Sequence, residues 1–191
     1  LVGAQRFYGR REIKDLIAYL RLVHNPQDEV SLTRIINVPT RGIGDKTLLA
    51  LRTRAQQAGM SPGQVLIDLG SNENSPFAAS FPGRAGTSLA HFGSLLARWI
   101  LAKDELNPLG LLDQIISDTD YRTYIDDGSE EGQDRWENVM ELRRLAAEHQ
   151  ESTLGAFLEQ IALVSDQDTL AASSNAPTLL TLHAAKGLEF P

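Results

Sequence analysis

Ile13, Leu16, Ile17, Leu20 and Val23 recur at intervals of three and four, the spacing that lines up one face of an α-helix. They predict a helix over residues 10–23, with Arg11, Glu12, Lys14 and Asp15 on its polar side and Asn25-Pro26 ending it. Asp28 is placed to cap a second helix reaching about residue 37, which carries Leu32, Ile35 and Ile36. A third helix should run from Asp45 to about Gly59, with Asp45 or Thr40 as its cap and Gly59 at its end. Ser61-Pro62 opens a short helix through Leu69.

The segment 70–86 breaks the pattern. It is rich in Ser, Asn, Pro and Gly, no apolar period survives in it, and it reads as a mobile, solvated connection. The helical period returns in Leu89, Phe92, Leu95, Leu96, Trp99 and Ile100, and predicts a core-facing helix from Thr87 to Lys103. Pro108 starts another helix, Tyr121 to Ile125 is a short bridge, and Asp126-Asp127-Gly128 interrupts the chain. A long helix follows from Glu130 to Gln150, then one capped by Thr153 and carrying Leu154, Phe157, Leu158, Ile161 and Val164. Residues 166–176 read as a polar linker. Thr178-Leu179-Leu180-Thr181-Leu182 has the look of a buried strand, and residues 1–7 of a strand end. The fold class expected is therefore mainly α, with short β stubs of an α/β domain at the two chain ends.

Composition narrows the function classes. The chain has 191 residues, of which 42% are hydrophobic, enough for one sizeable domain or one domain with appendages. With no cysteine there is no disulfide framework and no thiolate metal site, which fits a reducing, cytoplasmic setting. The four histidines are scattered without paired spacing, which argues against zinc. No apolar run approaches the ~20 residues of a membrane span, so no membrane partner is expected. The pattern starts and stops in mid-course, as in a fragment excised from a longer chain. The net charge of −7 opposes a nucleic-acid partner until its distribution is considered. Residues 1–54 hold ten Lys/Arg against five Asp/Glu; the remainder holds eight against twenty. A phosphate-binding surface needs only local positive charge, and the basic third has it.

That basic third contains Pro39-Thr40-Arg41-Gly42-Ile43-Gly44-Asp45-Lys46-Thr47. Gly42 and Gly44 permit backbone angles and close approaches that a side chain would block. The free N–H groups at the start of the following helix can hold a phosphate, with Arg41 and Lys46 adding charge. A Gly-x-Gly turn is also an ordinary link between helices. On the residues alone both readings stay open.

Three stretches together resemble the UvrD/PcrA/Rep group of superfamily 1 DNA helicases. They are residues 3–15, beginning Gly3-Ala4-Gln5-Arg6-Phe7-Tyr8; the glycine turn, similar to that of a helix-hairpin-helix element; and Thr181-Leu182-His183-Ala184-Ala185-Lys186-Gly187-Leu188-Glu189-Phe190-Pro191, similar to helicase motif V. Arg135-Trp136-Glu137-Asn138 and Phe157-Leu158-Glu159-Gln160 fall between them in the expected order. The resemblance implies a helical 2B subdomain over 9–176, inserted into the 2A motor domain, with stubs of 2A at 1–8 and 177–191 that lie near each other. It implies that Thr40, Arg41, Gly42, Gly44, Lys46 and Thr47 touch duplex phosphates. It implies that Thr181 and His183 lie near single-stranded DNA, that Gly187 shapes the ATP-side loop, and that Glu189 reaches the ATP ribose. Arg10, Arg11 and Lys14 read as a structural helix face.

The chain contains no Gly-x-x-x-x-Gly-Lys-Ser/Thr loop to cradle ATP phosphates and magnesium. The expectation is thus a part of an ATP-dependent, 3′→5′ DNA helicase of DNA repair or replication, inactive in hydrolysis alone. ATP and Mg2+ would act in the full-length parent, with none bound to this part. Its partners would be a single-strand/duplex DNA junction, domains 1A, 1B and 2A, and repair or replication proteins. A nucleoid-associated cytoplasmic location goes with it. The rival is a non-catalytic interaction module that docks such a protein through the acidic remainder and the 70–86 loop. A RecB-like nuclease-helicase is a third possibility within the resemblance.

Overall fold

The computed structural model describes residues 7–172, with side chains through residue 165. The described chain is helical, with no strand among the described residues. Its helices are α1 (Arg11–His24), α2 (Glu29–Ile35), α3 (Asp45–Ala58), α4 (Pro62–Ser71), α5 (Gly83–Ala102), α6 (Pro108–Asp118), α7 (Tyr121–Ile125), α8 (Glu130–Glu148) and α9 (Leu154–Ala172), with a 3-10 turn at Ala78–Ser80. The β stubs expected at the chain ends fall outside the described residues except for Phe7 and Tyr8, which are helical and turn rather than strand.

Local chemistry sets most boundaries. The Asp28 carboxylate accepts from Ser31 N at 3.0 Å and starts α2. Ser61 and Gln64 form a reciprocal capping box at α4, with Pro62 in its first turn. The side chains of Asn107 and Ser129 accept from Gly110 N and Gly132 N and cap α6 and α8. Gly59 closes α3 in the left-handed region at φ 66°. Three expectations are corrected. α3 is capped by Gly44, which offers no side-chain bond, and not by Asp45 or Thr40. α9 runs on to Ala172, through much of the stretch read as a linker. The connection between α4 and α5 spans only 72–82, and Phe77, Phe81 and Ser75 within it are buried.

The core is built around α1. Ile13, Leu16, Tyr19, Leu20, Leu22 and Val23 are fully buried, and α1 packs against α2, α5, α6, α8 and α9. A ring cluster of Tyr19, Phe92 and Trp99 joins α1 to α5 in edge-to-face contacts, with Tyr19 and Trp99 centroids 5.7 Å apart. α4 and α5 meet backbone to backbone: a Cβ on Gly93 would sit 1.8 Å from Leu66 O, and one on Gly70 would sit 2.0 Å from Ser94 N. The buried Asp15 carboxylate ties the two ends of the bundle together. It pairs with Arg34 of α2 at 2.8 Å and accepts from the Tyr121 hydroxyl of α7 at 3.1 Å. Arg11 donates to Tyr124 at 2.7 Å and Arg10 to Asn138, so the first basic residues brace α1 against α7 and α8. Among the described residues no helix is long and apolar enough to cross a membrane.

Candidate nucleic-acid interface

α2 ends at Ile35, and the chain turns through residues 36–44 before α3 begins. The Val38–Pro39 bond is cis, and Gly42 sits at φ 75°, a conformation that a side chain would strain. Ile43, between the two glycines, is 2% exposed and anchors the turn in the core. Thr40, Gly42, Gly44, Asp45 and Lys46 are exposed; Arg41 and Thr47 are half-buried.

At the start of α3 the amides of Thr47 and Leu48 both donate to Gly44 O at 3.0 Å. The amides of Gly42, Gly44, Asp45 and Lys46 find no acceptor among the described residues. A helix start normally satisfies such groups with a Ser, Thr, Asp or Asn side chain. Here the cap position carries none. Gly44 itself has ordinary angles, φ −90° and ψ 178°, and a Cβ there would meet nothing within 4 Å. The fold does not require glycine at this position. Lys46 forms no ion pair among the described residues, and Asp45 is the one acid in the first turn of α3. Lys46, Ala50, Thr53, Arg54 and Gln57 continue along one face of α3 and line an open groove with Ser80 and Phe81.

Arg41 does not extend beside Lys46. One guanidinium nitrogen donates to Ile35 O at 2.9 Å, Val38 O at 3.1 Å and Ile36 O at 3.3 Å, carbonyls at the end of α2 and in the turn that follows. The other donates to the Tyr19 hydroxyl, and the group lies 4.6 Å above the Phe92 ring. Tyr19 in turn donates to Val38 O. Burial pushes the Tyr19 phenol up to about 12, against the pull of the Arg41 charge beside it, so the hydroxyl keeps its proton across the physiological range. Asn37 completes the arrangement. Its side-chain oxygen accepts from Arg41 N at 2.7 Å and Ile43 N at 3.1 Å. Sequence reasoning passed over Asn37 and Tyr19. An Asn before a Pro-containing turn, and a phenol on an otherwise apolar stripe, were the available signals.

Of the sequence-expected residues, Thr40, Gly42, Gly44 and Lys46 are exposed in and beside the turn, Thr47 is half-buried and Arg41 turns inward. Thr181, His183, Gly187 and Glu189 lie outside the described residues. Among the described residues no group of His, Asp or Glu is arranged to hold a metal.

The model of the UvrD-like helicase C-terminal domain matches residues 1–191. The chain belongs to the UvrD-like helicase C-terminal domain family. Relatives of that family are similar along its whole length. The ATP-dependent DNA helicase PcrA of Bacillus subtilis is 37% identical over 202 residues, covering 100% of this chain and 26% of the relative. DNA helicase II of Haemophilus influenzae is 35% identical over 199 residues, with the same two shares. PcrA of Staphylococcus epidermidis is 35% identical over 201 residues, again covering 100% and 26%. The UvrD-like chain therefore spans about a quarter of the length of the curated relatives it matches.

Proposed function

We propose that this UvrD-like chain is the 2B subdomain, with flanking pieces of 2A, of an ATP-dependent 3′→5′ DNA helicase, and that its glycine turn grips the phosphate backbone of the duplex being unwound. The observation that carries the reading is the uncapped start of α3. Its amides, unpaired among the described residues, and the positive end of the helix face solvent beside Lys46, which forms no ion pair among the described residues, with Asp45 the one acid in that turn. Such a site holds phosphate without reading bases, which suits an enzyme that must unwind any sequence. In this reading Lys46 and the hydroxyls of Thr40 and Thr47 join the amides around phosphate oxygens.

The rest of the reading follows the resemblance. The span 9–176 is the 2B insertion, and 1–8 and 177–191 belong to 2A. Support for neighbouring ends comes from the described residues nearest them: Tyr8, Ile161 and Ser165 line one cavity with Ile17 and Arg21 of α1. Closing and opening of the motor domains on ATP and Mg2+ would drive movement along one strand, while this part holds or releases the duplex. Thr181 and His183 would touch the single strand, and Gly187 and Glu189 the nucleotide side.

The test is binding of the 191-residue chain to a labelled duplex with a 3′ single-stranded tail, at several salt concentrations. The expected result is affinity that falls steeply with salt, and a Lys46→Ala variant whose logarithmic salt slope is smaller by about one. Salt-insensitive binding, or a variant with an unchanged slope and affinity, would count against the reading.

A further inference from the structure

We infer that Asn37, Tyr19 and Arg41 are positioning residues for the DNA grip, and that Arg41 acts on phosphate only through the turn it supports. The inference rests on the phosphate-gripping reading above and divides its labour differently from the sequence, where Arg41 and Lys46 look equivalent.

Three observations carry it. The Arg41 guanidinium is committed inward, to the Ile35, Ile36 and Val38 carbonyls, the Tyr19 hydroxyl and the Phe92 face. Turning it out to solvent would break these charge-assisted bonds and leave Ile36 O without a donor among the described residues, while Ile35 O would keep only Val38 N and Val38 O only the Tyr19 hydroxyl. Asn37 closes a loop over the same residues, one oxygen accepting from the amides on either side of Gly42. Ile43 then plugs the turn into the core, 2% exposed, between the two glycines whose amides find no acceptor among the described residues. The turn is therefore held from behind by side chains that leave its outer face open. An anion binding to fixed dipoles does not have to order the loop first, and that saving appears as affinity. The guanidinium puts one nitrogen on the carbonyls and the other on the Tyr19 hydroxyl; a lysine ammonium is a single point donor on a flexible stem and cannot hold both places.

The experiment compares duplex binding by the 191-residue chain and four variants, Arg41→Lys, Tyr19→Phe, Asn37→Ala and Lys46→Ala, across salt concentrations. Thermal unfolding gives the folded fraction of each. Arg41→Lys keeps the charge, so a direct phosphate contact predicts near-unchanged affinity, whereas positioning predicts affinity about tenfold weaker. Tyr19→Phe removes one hydroxyl and keeps the ring. It should bind a few-fold more weakly with the salt slope unchanged, at temperatures where it is as folded as the parent chain. A merely structural role would lower the unfolding temperature and leave the affinity of the folded molecules alone. Asn37→Ala should behave like Tyr19→Phe, while Lys46→Ala alone lowers the salt slope. Parent-like binding by Arg41→Lys, Tyr19→Phe and Asn37→Ala, with Lys46→Ala impaired, would overturn the inference and leave the phosphate-gripping reading standing. Absence of salt-sensitive binding by the parent chain would overturn both.

Discussion

Arg41 and Lys46 carry the same charge five residues apart and face opposite ways. What separates them is the Tyr19–Phe92 pocket, contributed by α1 and α5 and invisible in the local sequence. Flanking charge could be read from the chain; the direction in which an arginine turns could not, because it depends on aromatic partners from distant helices. Tyr19 also makes a pH prediction. Burial raises its phenol from 10.0 to about 12 in the folded chain, so the folded state holds the proton after the unfolded state has lost it. Stability is fully present below pH 10 and is lost as pH rises towards about 12, by roughly 3 kcal/mol from this group. Tyr121 is raised in the same direction, chiefly by burial and then by Asp15. Denaturant unfolding between pH 9 and 12 should therefore show a smaller loss in Tyr19→Phe than in the parent chain, as an order-of-magnitude expectation of about 3 kcal/mol at most. Equal losses would show that Tyr19 is not protected as described.

At the scale of elements, most helices were legible because their apolar period and caps agree. The stripe from Ile13 to Val23 became α1, and Asp28, Ser61 and Thr153 stand where caps were expected. The connection before α5 was misread as solvated along its length. Phe77 and Phe81 are single aromatics in a Ser-, Pro- and Gly-rich run, and two isolated anchors leave no period to detect. Burial of those two rings leaves less of the segment free to serve as a partner-docking loop. The close crossing of α4 and α5 was equally silent, since a glycine within a helical pattern does not announce what approaches it. Gly93→Ala should cost about 2 kcal/mol, because its Cβ would overlap the Leu66 carbonyl and neither helix can give way alone. Chemical denaturation checks this, and an unchanged midpoint would mean that α4 and α5 are less tightly apposed.

At the scale of the whole molecule, the charge of an acidic chain is unevenly distributed along its sequence. The turn and α3 lie in the third of the sequence where positive residues outnumber negative ones, and the acidic excess sits elsewhere. The helical fold class and the glycine turn could be read from sequence, and the family from its motifs; the open state of the α3 cap required coordinates. That cap holds the central claim. Replacing Gly44 by Ser would supply the missing side-chain oxygen to the α3 amides at a position with open space. The fold should then gain about a few tenths of a kcal/mol from capping, the difference between Ser and Gly at such a position. The same oxygen would occupy the amides that phosphate needs. The measurement to make is unfolding temperature and duplex affinity of Gly44→Ser beside the parent chain. Higher stability with weaker, still salt-dependent DNA binding is the predicted outcome. Higher stability with unchanged affinity would contradict the account, because the amides would then be capped without loss of the grip attributed to them.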